Sequence, residues 1–262
     1  MKIVGTGSCL PQRVVSNDDL AAIMDTSDEW ISSRTGIRNR HIATTETTTS
    51  LACDAVKSAL QDAGIDGSEI DLIIAASVST DKIVPSLACQ IQAEIGAGSA
   101  VAFDINAACS GFLFGLATAD AYFKTGRFHK AVVVGAEVLS KIMDWNDRST
   151  CVLFGDGAGA AIFELCDAPF AITLGARGDE AIHAGGPCRT GSAPISMDGR
   201  AVFRFAVDAL PRCLHAVLDE TQLALDDVDW VVCHQANSRI IDHCVKALRA
   251  DAAKFYKNMD RH

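Results

Sequence analysis

Cys109 sits where an apolar run, Val101-Ala-Phe-Asp-Ile105, gives way through Asn106-Ala-Ala-Cys-Ser-Gly111 to a long uncharged stretch. A strand that passes through a tight turn into a helix displays whatever residue stands at the turn. Here Ala107, Ala108, Ser110 and Gly111 permit a sharp backbone and leave room for a substrate. A helix N-terminus favours negative charge, so the position is expected to favour thiolate over thiol. The segment predicts a nucleophile for acyl transfer; it equally suits a cysteine buried in a tightly packed strand–helix corner. Such a nucleophile needs a partner that handles protons or steadies an enolate. Of seven histidines, His234 has the best setting, after the apolar run 229–233 and before the polar Gln235-Ala-Asn237-Ser-Arg239 that opens a helix. Open α/β sheets place ligands at the C-terminal ends of such strands. A structural hydrogen bond is the other reading of His234. His41, His129 and His183 fall in loops, and His215 and His243 on helical stretches.

Two further segments bear on ligands. Residues 28–41 combine Trp30 with Arg34, Arg38 and Arg40. An indole face stacks on a flat ring and guanidinium groups recognise phosphates, which suits an adenine nucleotide carrier such as coenzyme A. A solvated basic loop is the alternative, and Arg148 within residues 144–150 carries the same ambiguity. Residues 155–163, Gly-Asp-Gly-Ala-Gly-Ala-Ala-Ile-Phe, have neither the spacing nor the Lys-Ser/Thr ending of a phosphate loop, and an extended run follows. They predict a glycine-rich turn leading into a strand, and exclude nucleotide hydrolysis of the phosphate-loop kind.

The elements that must position these residues alternate. Short apolar runs at 71–76, 100–104, 130–134 and 229–233 have the character of buried parallel strands, with helical stretches at 48–63, 85–95, 112–125 and 201–223 before and between them. That alternation predicts an α/β class with a parallel or mixed sheet covered by helices. Residues 60–76 (LQDAGIDGSEIDLIIAA) and 218–234 (LDETQLALDDVDWVVCH) align without gaps at an offset of 158 residues, each after an amphipathic helix. The repeat suggests two similar halves, 1–165 and 166–262, the second of them short.

The chain has 262 residues, 49% hydrophobic and 21% charged, enough for a substantial core. Its longest uncharged run, 105–119, is broken by Asn106, Ser110 and two glycines and is too short and polar to span a bilayer. The first residues lack the apolar stretch of a secretory signal, and a cytoplasmic location is expected. Net charge is −10, from 33 acidic and 23 basic residues, which argues against a general nucleic-acid binder and requires any anionic partner to meet a local basic patch. The ten cysteines, at 9, 53, 89, 109, 151, 166, 188, 213, 233 and 244, never form CxxC. Neither a disulfide scaffold nor a metal site is expected; eight or nine of them read as small buried hydrophobes.

Taken in order, SDEWISSRTGIRNRHI, PSLACQIQ, NAACSGF, DRSTCVLFGDGAGAAIF and CHQANSRII resemble the β-ketoacyl-acyl carrier protein synthase III family across essentially the whole chain. The resemblance implies an α/β, thiolase-like duplicated core of layered helices and mixed sheets, and a homodimer. It implies that Cys109 accepts an acyl group from acyl-CoA and that His234 supports decarboxylation of malonyl-acyl carrier protein. Trp30 and Arg148 match the pair that sandwiches adenine, Arg34 and Thr35 further coenzyme A contacts, Asn237 a residue near the pantetheine end, and Phe203 an active-site wall. Arg204, Arg239 and Lys246 match basic contacts for the acidic carrier protein, the local patch an acidic enzyme needs. The implied reaction is a decarboxylative Claisen condensation with no metal or bound redox cofactor.

The family continues from a motif like Asp260-Arg-His262 into Gly-Asn-Thr-Ser, whose asparagine is the third catalytic residue and would fall two positions past this sequence. On that pattern the second half is incomplete. The family also has an often aromatic residue just before the position of Pro85, reaching over the partner subunit's acyl pocket; Val84 here suggests room for branched or longer primers. A quinolone- or polyketide-type condensing enzyme keeps the fold and the Cys–His pair with another acceptor. A catalytically incompetent thiolase-fold fragment is the reading from outside enzymology.

Overall fold

The computed structural model describes residues 1–185 and 193–262, so Cys188 lies outside the described residues. The elements run β1 (Lys2–Cys9), β2 (Val14–Ser16), α1 (Asn17–Ala21), α2 (Asp28–Thr35), β3 (Asn39–His41), α3 (Thr48–Ala63), β4 (Leu72–Ala76) and α4 (Leu87–Glu94). Then follow β5 (Val101–Ile105), α5 (Gly111–Phe123), β6 (Lys130–Val138), β7 (Asp156–Glu164), β8 (Ile182–His183), β9 (Ser196–Met197), α6 (Gly199–Thr221) and α7 (Ser238–Leu248). They gather into two units. One comprises Met1–Arg13, His41–Lys141 and Asp156–Phe170, the other Val14–Arg40, Ile142–Gly155 and Ala171–His262.

The first unit is built on a five-stranded mixed sheet ordered β1-β7-β6-β4-β5. β4 lies parallel to both β5 and β6, while β7 is antiparallel to β6 and β1. Helices cover both faces, which is why the central strands are continuously apolar. Ile73 and Ala75 of β4 with Val132 and Val134 of β6 point into the core beneath α3 and α4. Leu72, Ile74, Ala131 and Val133 point the other way, into the core shared with Ala119 and Phe123 of α5. α3 starts in a capping box, Thr47 accepting from the Ser50 amide while the Ser50 side chain reaches back. It lies so close on β1 that a Cβ at Gly7 would stand 2.2 Å from the Ala55 carbonyl oxygen; only glycine fits there.

The second unit holds the paired β2 and β3, the β8–β9 ribbon and four helices. α2 is capped by Ser27, whose hydroxyl accepts from the Trp30 amide at 3.0 Å, and it ends on Gly36 at φ +84°. α7 buries Ile241 and Cys244, whereas no residue of α6 is buried. Among the described residues no helix is long and apolar enough to cross a membrane.

Several expectations change. Residues 229–233 form no strand: Val231 makes a single parallel bridge to Phe255, and Trp230 and Val232 are 63% and 73% exposed. An apolar run becomes a buried strand only where neighbouring backbone pairs with it, and this one has a single partner residue. The repeat nevertheless recurs locally, because α3 and α6 both end on a left-handed residue, Gly64 and Gln222, followed by a single 3-10 turn. The glycine-rich residues 156–164 are themselves strand β7 rather than a turn before one. Of the nine described cysteines only Cys53, Cys151, Cys233 and Cys244 are buried, fewer than the eight or nine expected, and all nine are free thiols.

Candidate functional site

In the first unit the chemistry gathers at the C-terminal ends of β4, β5 and β6. β5 runs out into Asn106 and Ala107, and a single 3-10 turn, Ala108–Ser110, delivers the chain to α5. Ala108 takes φ +45°, a left-handed conformation that a small side chain tolerates better than a bulky one. Gly111 then lets α5 begin against β4, since a Cβ there would lie 2.8 Å from the Ala76 Cβ. The result is Cys109 exposed at the turn, ahead of a helix whose N-terminus has no side-chain cap. The thiol is reachable from solvent on one side, but crowding on the others raises its pKa. Desolvation is the main cause; its backbone amide works the other way, and the charge of Glu137 adds a smaller rise. The expectation that the helix end would favour thiolate is thus corrected: desolvation outweighs it.

Carboxylates organise the backbone around this turn. Asp104 of β5 accepts from the amides of Leu87 and Ala88 at 2.8 and 2.7 Å, fixing the start of α4. Glu137 of β6 accepts from the Val78 amide at 2.8 Å, from the Ser77 hydroxyl at 3.3 Å and from the Ser79 hydroxyl. Burial raises its pKa, and those hydrogen bonds oppose the rise. Asp81 accepts from the Thr49 amide at 2.8 Å and from Lys141 Nζ at 3.0 Å. Sequence reasoning missed these three; an acidic residue at a strand's end is too common a signal to single out.

In the second unit Trp30 lies under two guanidinium groups, with Arg34 Cζ 4.7 Å and Arg148 Cζ 5.3 Å from its ring centroid. Arg148 is held by Asp25, through the backbone carbonyl and through Oδ2 at 3.1 Å. The structure therefore brings Trp30, Arg34 and Arg148 together. The other arginines of residues 28–41 do not join them. Arg38 pairs with Asp28 at 3.1 Å, and Arg40 is buried at 2% exposure, so it presents nothing to a phosphate. Thr35, the other expected coenzyme A contact, is buried at the end of α2, its hydroxyl donating to the Ile31 carbonyl at 2.7 Å and accepting from the Ile37 amide at 3.0 Å.

His234 is exposed in the same unit, and desolvation by the protein around it lowers its pKa, which favours the neutral ring. The next residue fixes the segment. Gln235 Nε2 donates to the carbonyls of Cys233 (2.9 Å) and Tyr256 (3.0 Å), and its Oε1 accepts from the Asn258 amide at 3.1 Å. Asn237 is half-buried and caps α7, its Oδ1 accepting from the Arg239 amide at 2.9 Å. Phe203 is half-buried on α6 and Arg204 beside it exposed. Arg239 and Lys246, seven residues apart on α7, are exposed on one face of that helix. Cys109 belongs to the first unit and all of these to the second. Among the described residues no three His, Cys, Asp or Glu side chains are grouped to hold a metal ion.

Two stretches match known families: residues 103–178 match 3-oxoacyl-[acyl-carrier-protein] synthase III, and residues 218–262 match the C-terminal part described for the same synthase. The β-ketoacyl-[acyl-carrier-protein] synthase III of Clostridium acetobutylicum is 46% identical over 277 residues, an alignment covering 100% of this chain and 85% of that protein. The crystal structure of 3-oxoacyl-[acyl-carrier-protein] synthase III from Aquifex aeolicus superposes with a TM-score of 0.93 at 42% identity, over 100% of this chain and 85% of that one. A priming β-ketosynthase from the R1128 polyketide pathway superposes at 0.88 with 33% identity, over 98% and 80% of the two chains.

Proposed function

Because the chain belongs to the 3-oxoacyl-[acyl-carrier-protein] synthase III family, we propose that it joins an acyl group from acyl-CoA to malonyl-acyl carrier protein, with Cys109 carrying the acyl group between them. It is a condensing acyltransferase that initiates fatty-acid synthesis, on an α/β thiolase-like fold. The observation that carries the assignment to Cys109 is its exposure at the sharp turn between β5 and α5.

The steps balance without an added oxidant or reductant. The Cys109 sulfur attacks the thioester carbonyl, and the tetrahedral adduct collapses by expelling coenzyme A thiol. Crowding raises the Cys109 pKa and so favours the thiol; the thiol gives up its proton as it attacks and the departing coenzyme A sulfur takes one up, so one thiol is exchanged for another. Malonyl-acyl carrier protein then loses carbon dioxide, and the electron pair left behind forms an enolate that attacks the acyl–sulfur carbonyl. That step releases 3-oxoacyl-acyl carrier protein and returns the sulfur of Cys109. His234, whose neutral form desolvation favours, donates an imidazole N–H to the enolate oxygen, a charge that develops only during decarboxylation.

Trp30 and Arg148 hold the adenine, and Arg34 stands beside them for a phosphate. Asn237 offers its Nδ2 to the pantetheine arm, and Phe203 forms an active-site wall. Arg204, Arg239 and Lys246 meet the acidic carrier protein. The reading calls on no metal or redox cofactor, treats the protein as a cytoplasmic homodimer, and takes residues 1–165 and 166–262 as its two halves. A polyketide-type synthase is the second reading, favoured by the R1128 neighbour.

Intact-protein mass spectrometry before and after incubation with acetyl-CoA tests the assignment. The expected result is one added acetyl group, absent from Cys109→Ser, followed by its loss on addition of malonyl-acyl carrier protein. An acetyl group that persists in Cys109→Ser would remove Cys109 from its role. Transfer to a thioester acceptor other than malonyl-acyl carrier protein would favour the polyketide-type reading.

A further inference from the structure

Arg40 is one of few charged side chains in the interior, and its guanidinium reaches three acceptors on two stretches of chain far apart in sequence, around residues 15–17 and at residue 152. Nη1 donates to the Val15 carbonyl at 3.1 Å, and Nη2 donates to Asn17 Oδ1 at 2.7 Å and to the Val152 carbonyl at 3.3 Å. These three acceptors are uncharged, and Nε is buried with no partner at all. Burying a charge this way is costly, and an apolar side chain of similar volume is often as stable or more so. What an apolar chain cannot do is bond two distant stretches, 15–17 and 152, at fixed angles, which the planar guanidinium fork does.

The segments it joins are informative. Asn17, 1% exposed, passes the grip onward: its Nδ2 donates to Asp28 Oδ1 at 2.8 Å and to the Ile37 carbonyl at 2.7 Å. Asp28 is the first residue of α2 and Ile37 follows its cap, so Asn17 holds both ends of the helix that carries Trp30. On the other side, Val152 follows Arg148 by four residues in a stretch wound on itself. The Asp147 carbonyl there accepts from the amides of Thr150 and Cys151 at 3.2 and 3.1 Å, and Thr150, Cys151 and Val152 are all buried. A flat ring entering between Trp30 and Arg148 needs two contact distances of about 3.5–4.0 Å each. At 5.3 Å the two are too close, so the exposed Arg148 head must swing out while its backbone keeps its distance from α2.

We propose that Arg40 is a positioning residue for coenzyme A, its guanidinium setting the distance between the α2 that bears Trp30 and the backbone that bears Arg148. The proposal rests on the reading of Trp30 and Arg148 as the adenine clamp. Arg40 touches no substrate; it acts through the two residues that do.

The test compares acetyl-CoA with S-acetyl-pantetheine, which lacks the adenine nucleotide, in Arg40→Gln, Arg40→Lys, Asn17→Ala and Trp30→Ala. Arg40→Gln and Asn17→Ala should each raise KM for acetyl-CoA about 10-fold, within what loss of a base stack produces. Kinetics with S-acetyl-pantetheine and kcat should stay within about twofold, and Arg40→Lys should recover part of the loss because it restores one donor. Should Arg40→Gln fail to fold, Asn17→Ala reads the same link from its other end. An unchanged KM for acetyl-CoA, or an equal rise for both thioesters, overturns the positioning role. If Trp30→Ala does not separate the two thioesters, the adenine clamp itself is wrong; if it does while the Arg40 and Asn17 variants do not, only the role of Arg40 falls.

Discussion

Replacing Gly111 with alanine sets two effects against each other at the turn that holds Cys109. The backbone at Gly111, φ −52° and ψ −43°, accepts an alanine without strain, and removing a helical glycine is worth at most about 0.5–1 kcal/mol. The new methyl, however, would stand 2.8 Å from the Cβ of Ala76. Ala76 is 5% exposed at the end of β4, in register with Ile105 on one side and Gly135 on the other, and has no rotamer to yield. Reaching an ordinary contact of about 3.5–4.0 Å therefore moves the start of α5 outward by roughly 1 Å. Overpacking of this kind costs about 1–3 kcal/mol, so sterics win and the net loss is about 1–2 kcal/mol. For a chain of this size that lowers the melting temperature by roughly 2–8 °C. Cys109 lies two residues upstream, and a displacement of about 1 Å slows a positioned reaction about 100-fold. Quenched-flow acylation by acetyl-CoA, read by intact mass, and thermal unfolding by circular dichroism measure the two effects. Gly98→Ala is the control, since nothing lies within 4 Å of its Cβ position. If Gly111→Ala acylated within twofold of the parent and melted no lower, close approach of α5 to β4 would not be what positions the nucleophile.

Two other outcomes follow from the electrostatics. Glu137→Gln removes a negative charge near Cys109 while keeping the shape of the side chain, so the pH at which Cys109 reacts with iodoacetamide should fall; peptide-resolved labelling showing no downward shift would contradict this. Glu46 accepts from the amides of Gln12, Thr44 and Thr45, which lower its pKa from 4.5 to about 2. A depressed carboxyl stabilises the fold above its unfolded pKa and loses that contribution as pH falls. Urea midpoints of the parent should thus drop faster than those of Glu46→Gln between about pH 4.5 and 2, and parallel curves would refute it.

The first unit was legible because both faces of its sheet are buried, so β4 and β6 announce themselves as unbroken apolar runs. The helical stretch read at 48–63 is α3, which the capping pair Thr47 and Ser50 opens and Gly64 closes. The same logic failed at 229–233, where an equally apolar run lies with Trp230 and Val232 exposed, because apolarity reports a preference for burial and not the presence of a neighbouring strand. At the sites, side-chain type was enough to bring Trp30, Arg34 and Arg148 to notice. It could not separate Arg34, lying on an indole, from Arg40, buried six residues later, since burial of one charged residue depends on acceptors from 15 to 152. The raised pKa of Cys109 was hidden for a related reason: desolvation is set by chain segments far away in sequence.

The stretch between β4 and α4 is a bridge with both abutments bolted. Glu137 fastens Ser77–Ser79 at one side, Asp81 is tied to Thr49 and Lys141, and Asp104 fastens Leu87 and Ala88 at the other. Between them Ile83 and Val84 stand 83% and 82% exposed, so exchanging either unpacks nothing within this chain. Drift in the span's sequence is therefore uncoupled from the turn that displays Cys109. New side chains at the crest change what this surface presents while leaving the packing of the nucleophile's turn within the chain as it is.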